Sequence, residues 1–316
     1  MTPRMSALDP AGPQAREIAA LWDRFLYVAV GVWVLVVGFT IAAALRTRRR
    51  ADLVTAHDDR RHARAILLAA IATAATVIGL LVTSILASGR LARLENDPHA
   101  IEIQVTGNQW WWEVQYWPED PRKNATTANE IHVPVGRTIH LALTSNDVIH
   151  SFWVPSLHGK RDLVPGRVNR TWFVADEPGI YRGQCAEFCG LQHANMALTI
   201  IAELPADFER WHAAQRTSAA LPRTTEESRG QRIFAGGPCV LCHTVSGHGA
   251  GGRLGPDLTH FASRATIGAT WIPNTPHNLR AWMRDPHGMK PGVRMPAIEL
   301  SSEDTAALLS YVESLR

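Results

Sequence analysis

Four cysteines form two close pairs, and each pair lies among other residues that can bind a metal or a cofactor. The first pair belongs to residues 185–196, which read CAEFCGLQHANM. This segment offers two thiols, an imidazole and a thioether, and such soft ligands select copper. The second pair belongs to residues 239–243, which read CVLCH. Cys-x-x-Cys-His is the attachment sequence of c-type haem.

A copper site in the first segment needs a second histidine. Two cysteines four residues apart, with one His and one Met nearby, suit two copper ions bridged by both sulfurs, whereas a mononuclear blue site uses one Cys. His150, in the sequence NDVIHSFWVP, is the candidate for the second imidazole. A structural disulfide between Cys185 and Cys189 and a zinc site are the alternatives. The Met and the lack of a second Cys-x-x-Cys argue against zinc.

The second pair predicts covalent haem. Cys239 and Cys242 would bond the two vinyl groups, while the imidazole of His243 meets the iron. A redox dithiol or half of a zinc site is the alternative, and context disfavours it because no second Cys-x-x-Cys is present.

The sixth ligand of the haem iron is expected to be a methionine, since His/Met ligation raises the reduction potential. Met295 lies in the sequence KPGVRMP, just before the last predicted helix, and is favoured over Met289. Met283 is a weaker candidate because it falls inside a helix predicted over residues 278–284.

Two long uncharged runs precede both sites, at about residues 25–45 and 65–89. A bilayer core needs about 20 apolar residues in a helix, so a transmembrane hairpin is favoured over two buried helices of a soluble protein. The connection over residues 46–64 holds seven Arg, and short Arg-rich loops stay in the cytoplasm. The sequence therefore predicts a multi-pass protein of the bacterial inner membrane, with both termini and both metal-binding regions on the periplasmic side.

The charge distribution argues against nucleic acid as a partner. The net charge of +3 hides an asymmetry: residues 1–94 carry 12 basic and 6 acidic side chains, whereas residues 95–204 carry 8 basic and 13 acidic ones. The basic excess thus belongs to the region that flanks the membrane. With 46% apolar and 19% charged residues, the chain is also neither disordered nor collagen-like nor a coiled coil.

Hydrophobic periodicity divides the 316 residues into regions. Apolar residues alternate with polar ones over 101–106 and 139–144, and many short runs of this kind, separated by Gly, Pro and Asn, predict a β-sandwich or barrel. The predicted regions are as follows: a tail and transmembrane hairpin over 1–94, a β domain over 95–204, a short helix and flexible linker over 205–223, and a haem domain over 224–316.

Several motifs resemble those of cytochrome c oxidase subunit II. They are HSFWVP at 150–155, KRDLVPGR at 160–167, GQCAEFCG at 183–190 and GNQWWWEVQY at 107–116. The resemblance implies a cupredoxin fold and a binuclear copper A centre. The copper ligands that it implies are His150, Cys185, the backbone carbonyl of Glu187, Cys189, His193 and Met196.

The same resemblance implies two further roles. The Glu187 side chain is expected to bind a magnesium ion shared with subunit I. Trp110 is expected to be the surface aromatic residue through which electrons arrive; without the resemblance, a Trp in this run is more typical of strand packing.

Residues 224–316 resemble a class I cytochrome c. GQRIF at 230–234 matches the first helix, and LGPDL at 254–258 matches the segment whose proline carbonyl accepts the proximal His N–H. The full prediction is a two-helix transmembrane hairpin, an all-β cupredoxin sandwich and an all-α class I cytochrome c domain, as in caa-type haem–copper oxidases.

This resemblance implies subunit II of a respiratory cytochrome c oxidase. Electrons from cytochrome c or another periplasmic donor would pass through haem c and copper A to haem a of subunit I, which reduces oxygen to water and pumps protons. Subunit III is a further expected partner. The alternatives are a copper A and haem c subunit of a nitric oxide reductase, and a membrane-anchored copper chaperone or sensor.

Overall fold

The computed structural model describes residues 3–47, 58–95 and 97–316. These residues form two compact units. One unit, Arg16–Asn96, is helical; the other joins the N-terminal residues to Asp97–Arg316 and holds both cysteine pairs.

Two long helices carry the predicted membrane spans: α1 (Pro13–Thr47) and α2 (Asp58–Glu95). Each contains a stretch long and apolar enough to cross a membrane, and side chains such as Leu35 and Ile71 are exposed. Both helices are longer than their apolar runs because charged residues extend them at the ends. Most of the Arg-rich connection, residues 48–57, lies outside the described residues.

The region predicted to bind copper is a sandwich of two five-stranded sheets. The strands of the first sheet, in spatial order, are β3 (Ala125–Ala128), β2 (Trp111–Tyr116), β1 (Ile101–Asn108), β5 (Ile139–Ser145) and β8 (Asn169–Phe173). The strands of the second are β4 (Glu130–Pro134), β10 (Ala197–Glu203), β9 (Gly179–Cys185), β6 (His150–Trp153) and β7 (Arg161–Leu163). The predicted β-sandwich is confirmed.

Alternating side chains fill the space between the sheets. β1 and β5 run parallel and pair Ile103 with Leu141, and both side chains are buried. Strands β3 and β7 were not predicted. In β7 the residues Arg161 and Asp162 are charged and exposed, so this edge strand lacks the apolar alternation that marks the others.

His158 lies in the core of this sandwich without charge. It is 1% exposed and stacks between Phe152 and Phe173 at ring-centroid distances of 5.3 and 5.7 Å. Its Nδ1–H donates to the carbonyl oxygen of Gly159, whereas Nε2 has no partner among the described residues. Burial lowers the pKa of His158 from 6.5 to about 4.

We expect this histidine to weaken the sandwich in acid. The His158 imidazole takes up a proton near pH 6.5 in the unfolded chain and only near pH 4 in the folded chain. The free energy of unfolding therefore decreases by about 3 kcal/mol as the pH is lowered through this range. His158→Phe should remove that part of the pH dependence in thermal unfolding of the detergent-solubilised chain. Leu141→Ala is the control: it should lower stability equally at pH 4 and pH 7. An acid slope that persists unchanged in His158→Phe would contradict the assignment.

The region predicted to bind haem is helical. Its helices, with the one that precedes it, are α3 (Pro205–Gln215), α4 (Thr225–Gly236), α5 (Cys239–Cys242), α6 (Pro276–Arg284), α7 (Pro286–Met289) and α8 (Ser302–Ser314). Four two-residue strands form two small sheets: β11 (Thr244–Val245), β12 (Ala250–Gly251), β13 (Thr266–Ile267) and β14 (Ile272–Pro273).

The first and last helices of this region cross in close contact. A Cβ atom on Gly230 of α4 would lie 2.0 Å from the carbonyl oxygen of Ala307 in α8, so only glycine permits this approach. Phe234 packs beside Tyr311 with ring centroids 5.7 Å apart. The first of these two helices is the one that the GQRIF motif predicts.

The segment predicted as a flexible linker has no helix or strand over residues 216–224. Within it, Ala219 is buried in the core of the haem domain, and its N–H donates to the carbonyl oxygen of Ser246. The boundaries between the four predicted regions stay predictions.

Candidate metal centre and haem site

Strand pairing brings the predicted copper ligands together. Cys185 is the last residue of β9, and the loop that follows carries Cys189, His193 and Met196 before β10 begins. β6 pairs with β9, and His150 is the first residue of β6. The ligand found upstream in the sequence therefore lies against the loop that holds the others.

The donor atoms surround two sulfurs. The Sγ atoms of Cys185 and Cys189 are 3.8 Å apart, far beyond the S–S bond length of about 2.05 Å. His150 Nδ1 lies 3.9 Å from Cys185 Sγ. The remaining contacts to the two sulfurs are Glu187 O to Cys185 at 3.3 Å, His193 Nδ1 to Cys189 at 3.5 Å and Met196 Sδ to Cys189 at 3.8 Å.

The chemistry of this donor set fits copper. Two thiols, two imidazoles and a thioether are soft or intermediate ligands, which favour copper over the oxygen-preferring cations. Hydrogen bonding from the Cys189 thiol lowers the pKa of the Cys185 thiol, which favours the thiolate form that binds metals. The ligand atoms of His150, Cys185 and Cys189 lie within 4.8 Å of one another, and all three residues are buried.

Two neighbours that the sequence did not single out hold His150 in place. Its Nε2 is hydrogen-bonded to Asp147 Oδ1 at 2.9 Å, which leaves Nδ1 directed at the sulfurs, as outer carboxylates commonly do for metal-binding histidines. A Cβ on Gly107 would lie 2.7 Å from the imidazole ring, so glycine is needed there. The Asp-x-x-His spacing is the only sequence signal for Asp147.

Glu187 points its side chain away from this cluster. The residue is exposed, and its Oε1 accepts a hydrogen bond from the N–H of Phe188 at 3.2 Å. Its carbonyl oxygen, in contrast, faces Cys185. The carboxylate is thus accessible to a partner, as a shared magnesium ion would require, and that magnesium role stays a prediction.

Trp110 is not on the open surface, and this corrects the expectation of an exposed aromatic residue. It is 9% exposed, and its Nε1–H donates to the carbonyl oxygen of Cys189 at 3.0 Å. A Cβ on Gly292 of the haem domain would lie 3.3 Å from the Trp110 ring. The haem domain therefore covers this side chain, and its role in electron transfer stays a prediction.

The haem attachment residues form the short helix α5 and its C-cap. His243 Nδ1 is hydrogen-bonded to the carbonyl oxygen of Pro256 at 2.7 Å, the contact that the LGPDL motif predicts. This bond leaves Nε2 as the atom that can meet an iron. Burial lowers the pKa of His243, which favours the neutral, ligating form.

The surroundings of α5 fit a covalent haem. Cys239 and Cys242 are free, half-buried thiols. A Cβ on Gly255 would lie 2.7 Å from the His243 ring, so the chain packs directly against the proximal imidazole. Leu241 and Leu254 are 70% and 75% exposed, which leaves apolar surface on the segments next to the thiols and the imidazole.

The three methionine candidates differ in their surroundings. Met295 is half-buried and packs against the core of the haem domain. Met283 is itself part of that core, within α6. Met289 is the last residue of α7 and is half-buried. The assignment of Met295 as the iron ligand stays a prediction.

Sequence reasoning also missed two polar residues beside the copper loop. The Gln109 side chain donates to the carbonyl oxygen of Cys189 at 2.8 Å, and its backbone N–H donates to Asp147 at 2.7 Å. Lys290 donates to the carbonyl oxygen of Asn195 at 2.8 Å. Both side chains donate to backbone carbonyl oxygens of distant segments, and no residue pattern in the sequence reveals such contacts.

Comparisons with known proteins agree with this architecture. The family model described as "Cytochrome C oxidase subunit II, periplasmic domain" matches residues 118–203. The family model described as "Cytochrome c" matches residues 227–316.

Two proteins named cytochrome c oxidase subunit 2 match most of this chain. Cytochrome c oxidase subunit 2 of Alkalihalophilus pseudofirmus is 35% identical over 319 residues, which cover 99% of this chain and 91% of that protein. Cytochrome c oxidase subunit 2 of Bacillus sp. (strain PS3) is 32% identical and covers 75% and 70%. The periplasmic domain of subunit II of cytochrome oxidase of Bradyrhizobium japonicum is 33% identical, with a TM-score of 0.35, over 38% of this chain and 96% of that one. Because the first relative matches nearly the whole chain, with its apolar helices, copper-binding cupredoxin domain and cytochrome c domain, this chain belongs to the cytochrome c oxidase subunit II family.

Proposed function

We propose that this chain receives electrons for a respiratory haem–copper oxidase, from cytochrome c or another periplasmic donor, and passes them by haem c and binuclear copper A to haem a of subunit I. Subunit I would reduce oxygen to water and pump protons. The observation that carries this proposal is the contact of four further donor groups with two cysteine sulfurs that lie 3.8 Å apart, in a chain that also holds a complete haem-attachment sequence.

Separate sets of residues would hold the copper ions and the haem. The copper ions would be held by His150, Cys185, the Glu187 carbonyl, Cys189, His193 and Met196. The haem would be held by Cys239 and Cys242 through thioether bonds and by His243 and Met295 at the iron. Both groups would supply one-electron transfer without a change in their protein ligands.

The chain's own packing supports this role. Asp147 fixes the orientation of His150, and the Pro256 carbonyl fixes that of His243, so both imidazoles are held in place before a metal binds. The covalent link between the two domains replaces a bimolecular encounter with an intramolecular one at high effective concentration. The exposed Glu187 carboxylate would contribute to a magnesium site shared with subunit I, and subunit III would complete the complex.

The oxygen reaction separates this proposal from its alternatives. We expect the purified complex to contain subunit I, to show c-type haem and the near-infrared absorption of copper A, and to consume oxygen when reduced cytochrome c is added. A complex that reduces nitric oxide but not oxygen would instead identify a nitric oxide reductase. Isolation of the chain with copper but without subunit I would support a chaperone or sensor.

The two apolar helices support a membrane anchor, and the proposed topology predicts the outcome of reporter fusions. Because seven Arg occur within residues 46–64, alkaline phosphatase fused in this connection should be inactive and green fluorescent protein fused there should fluoresce. Phosphatase fused after residue 95 should be active. The opposite pattern would place both metal domains in the cytoplasm and contradict the proposal.

A further inference from the structure

Lys290 is a buried cation between the haem domain, residues 224–316, and the β domain, residues 95–204, which is called the copper domain here. It is 1% exposed and follows directly after α7. Its Nζ donates three hydrogen bonds to backbone carbonyl oxygens: Trp110 at 3.1 Å, Asn195 at 2.8 Å and Gly268 at 2.8 Å. An ammonium group has three N–H donors, so each has a partner. Burial lowers the pKa of Lys290 to about 7, whereas hydrogen bonds from the charged form to three oxygens favour that form.

The three acceptors belong to different parts of the chain. Trp110 lies in the turn between β1 and β2, and Asn195 lies between the predicted copper ligands His193 and Met196. Gly268, in contrast, belongs to the turn between β13 and β14 of the haem domain. One side chain thus ties the haem domain to two segments that border the copper site.

The residues after Lys290 continue this contact. The carbonyl oxygen of Pro291 accepts a hydrogen bond from the Gln192 side chain at 2.9 Å. Gly292 has a φ of +86°, in the left-handed region, and its Cα faces the Trp110 ring. Val293 is buried in the hydrophobic core of the copper domain. We call residues 290–293 the docking segment.

Two further hydrogen bonds hold the haem domain against the copper domain. The Glu130 Oε1 of β4 accepts a hydrogen bond from the N–H of Ala265 at 2.9 Å, and Arg182 Nη1 donates to Thr270 Oγ1 at 3.2 Å. The docking segment and these contacts together define one orientation.

We propose that Lys290 is the positioning residue that locks the haem domain onto the copper domain for internal electron transfer. This inference rests on the proposed function. The docking segment starts five residues before Met295, and its hydrogen bonds reach the β1–β2 turn at Trp110 and the loop of predicted copper ligands at Asn195. It also covers Trp110, so that an external donor must deliver its electron to the haem domain.

Lys290→Met in the intact membrane complex tests this role, because methionine keeps an unbranched apolar stem and removes all three donors. After photochemical reduction of haem c, electron transfer to copper should slow by about tenfold or more, which corresponds to a loss of about 1.4 kcal/mol from the docked state. The slower transfer should also depend on solvent viscosity, because the two domains must first diffuse into contact. Transfer in the wild type, whose domains are already docked, should not depend on viscosity. Neither metal spectrum should change.

Lys123→Met is the matched control, because Lys123 is exposed on the copper domain and lies outside the docking contacts described above. It should transfer electrons at the wild-type rate. Gly292→Val keeps Lys290 but adds a side chain against Trp110, and it should reproduce the slow, viscosity-dependent transfer; it replaces Lys290→Met if that variant loses its haem.

Hydrogen exchange separates this inference from the proposed function. Backbone amides of residues 109–112 and 265–271 should exchange faster in Lys290→Met than in the wild type, whether or not electrons pass from haem c to copper A. Faster exchange in Lys290→Met, combined with no haem-to-copper transfer in the wild-type complex, would contradict the proposed function alone. Wild-type exchange and a wild-type transfer rate in the variant would overturn the role of Lys290.

Discussion

Cys185→Ser is expected to abolish the mixed-valence copper signal while the c-type haem spectrum remains. Cys185 lies at the centre of the donor set, with contacts to His150, to the Glu187 carbonyl and to Cys189, and a serine hydroxyl is a poor ligand for copper. Turnover of the oxidase with cytochrome c should fall to a few per cent of the wild-type rate or less. Electron paramagnetic resonance, a copper count per chain and oxygen uptake measure the three effects.

Cys239→Ser is the reciprocal control for that experiment. It removes one of the two thiols at the haem site, so the haem spectrum should change, whereas the copper signal should persist. A wild-type chain that is fully loaded yet holds a single copper ion would disprove the binuclear site. So would a Cys185→Ser variant that retains the mixed-valence signal.

Met295→His is expected to leave haem attached, because the thioether bonds through Cys239 and Cys242 do not involve the sixth ligand. The reduction potential of the haem should fall, since imidazole is a stronger donor than thioether and favours ferric iron. The sulfur-to-iron band at the red end of the oxidised spectrum should vanish. Uptake of electrons from the external donor should slow, and turnover should fall where uptake limits it.

Met289→His is the matched control, six residues away at the end of α7. It should change neither the band nor the potential. Loss of the band in Met289→His and not in Met295→His would transfer the ligand assignment to Met289. If neither variant alters the band or the potential, the His/Met cytochrome interpretation of residues 224–316 is wrong.

The fold was predictable where the pattern reflects one-sided burial. β1 and β5 alternate strictly and were predicted, as was α3, where Pro205 starts a helix that ends at Gln215. Strand β7 was missed because it is short and two of its three residues are charged and exposed, so pairing with β6 rather than side-chain burial makes it a strand.

The candidate site was predictable to the extent that function depends on side-chain type. Thiols, imidazoles and thioethers at fixed spacing identify the copper and haem residues. The roles of Gln109 and Lys290 were not predictable, because both hold backbone carbonyl groups of distant segments. The burial of Trp110 was missed for a related reason: it depends on how the haem domain packs against the copper domain, which no local pattern encodes.

The most direct test of the account is the order of electron transfer within the purified oxidase. Haem c is reduced photochemically, and absorption is followed at the bands of haem c, copper A and haem a. We predict that oxidation of haem c coincides with reduction of copper A, that reduction of haem a follows, and that Cys185→Ser stops transfer after haem c. Reduction of haem a at the wild-type rate in Cys185→Ser would show that electrons bypass the copper domain and would contradict the account.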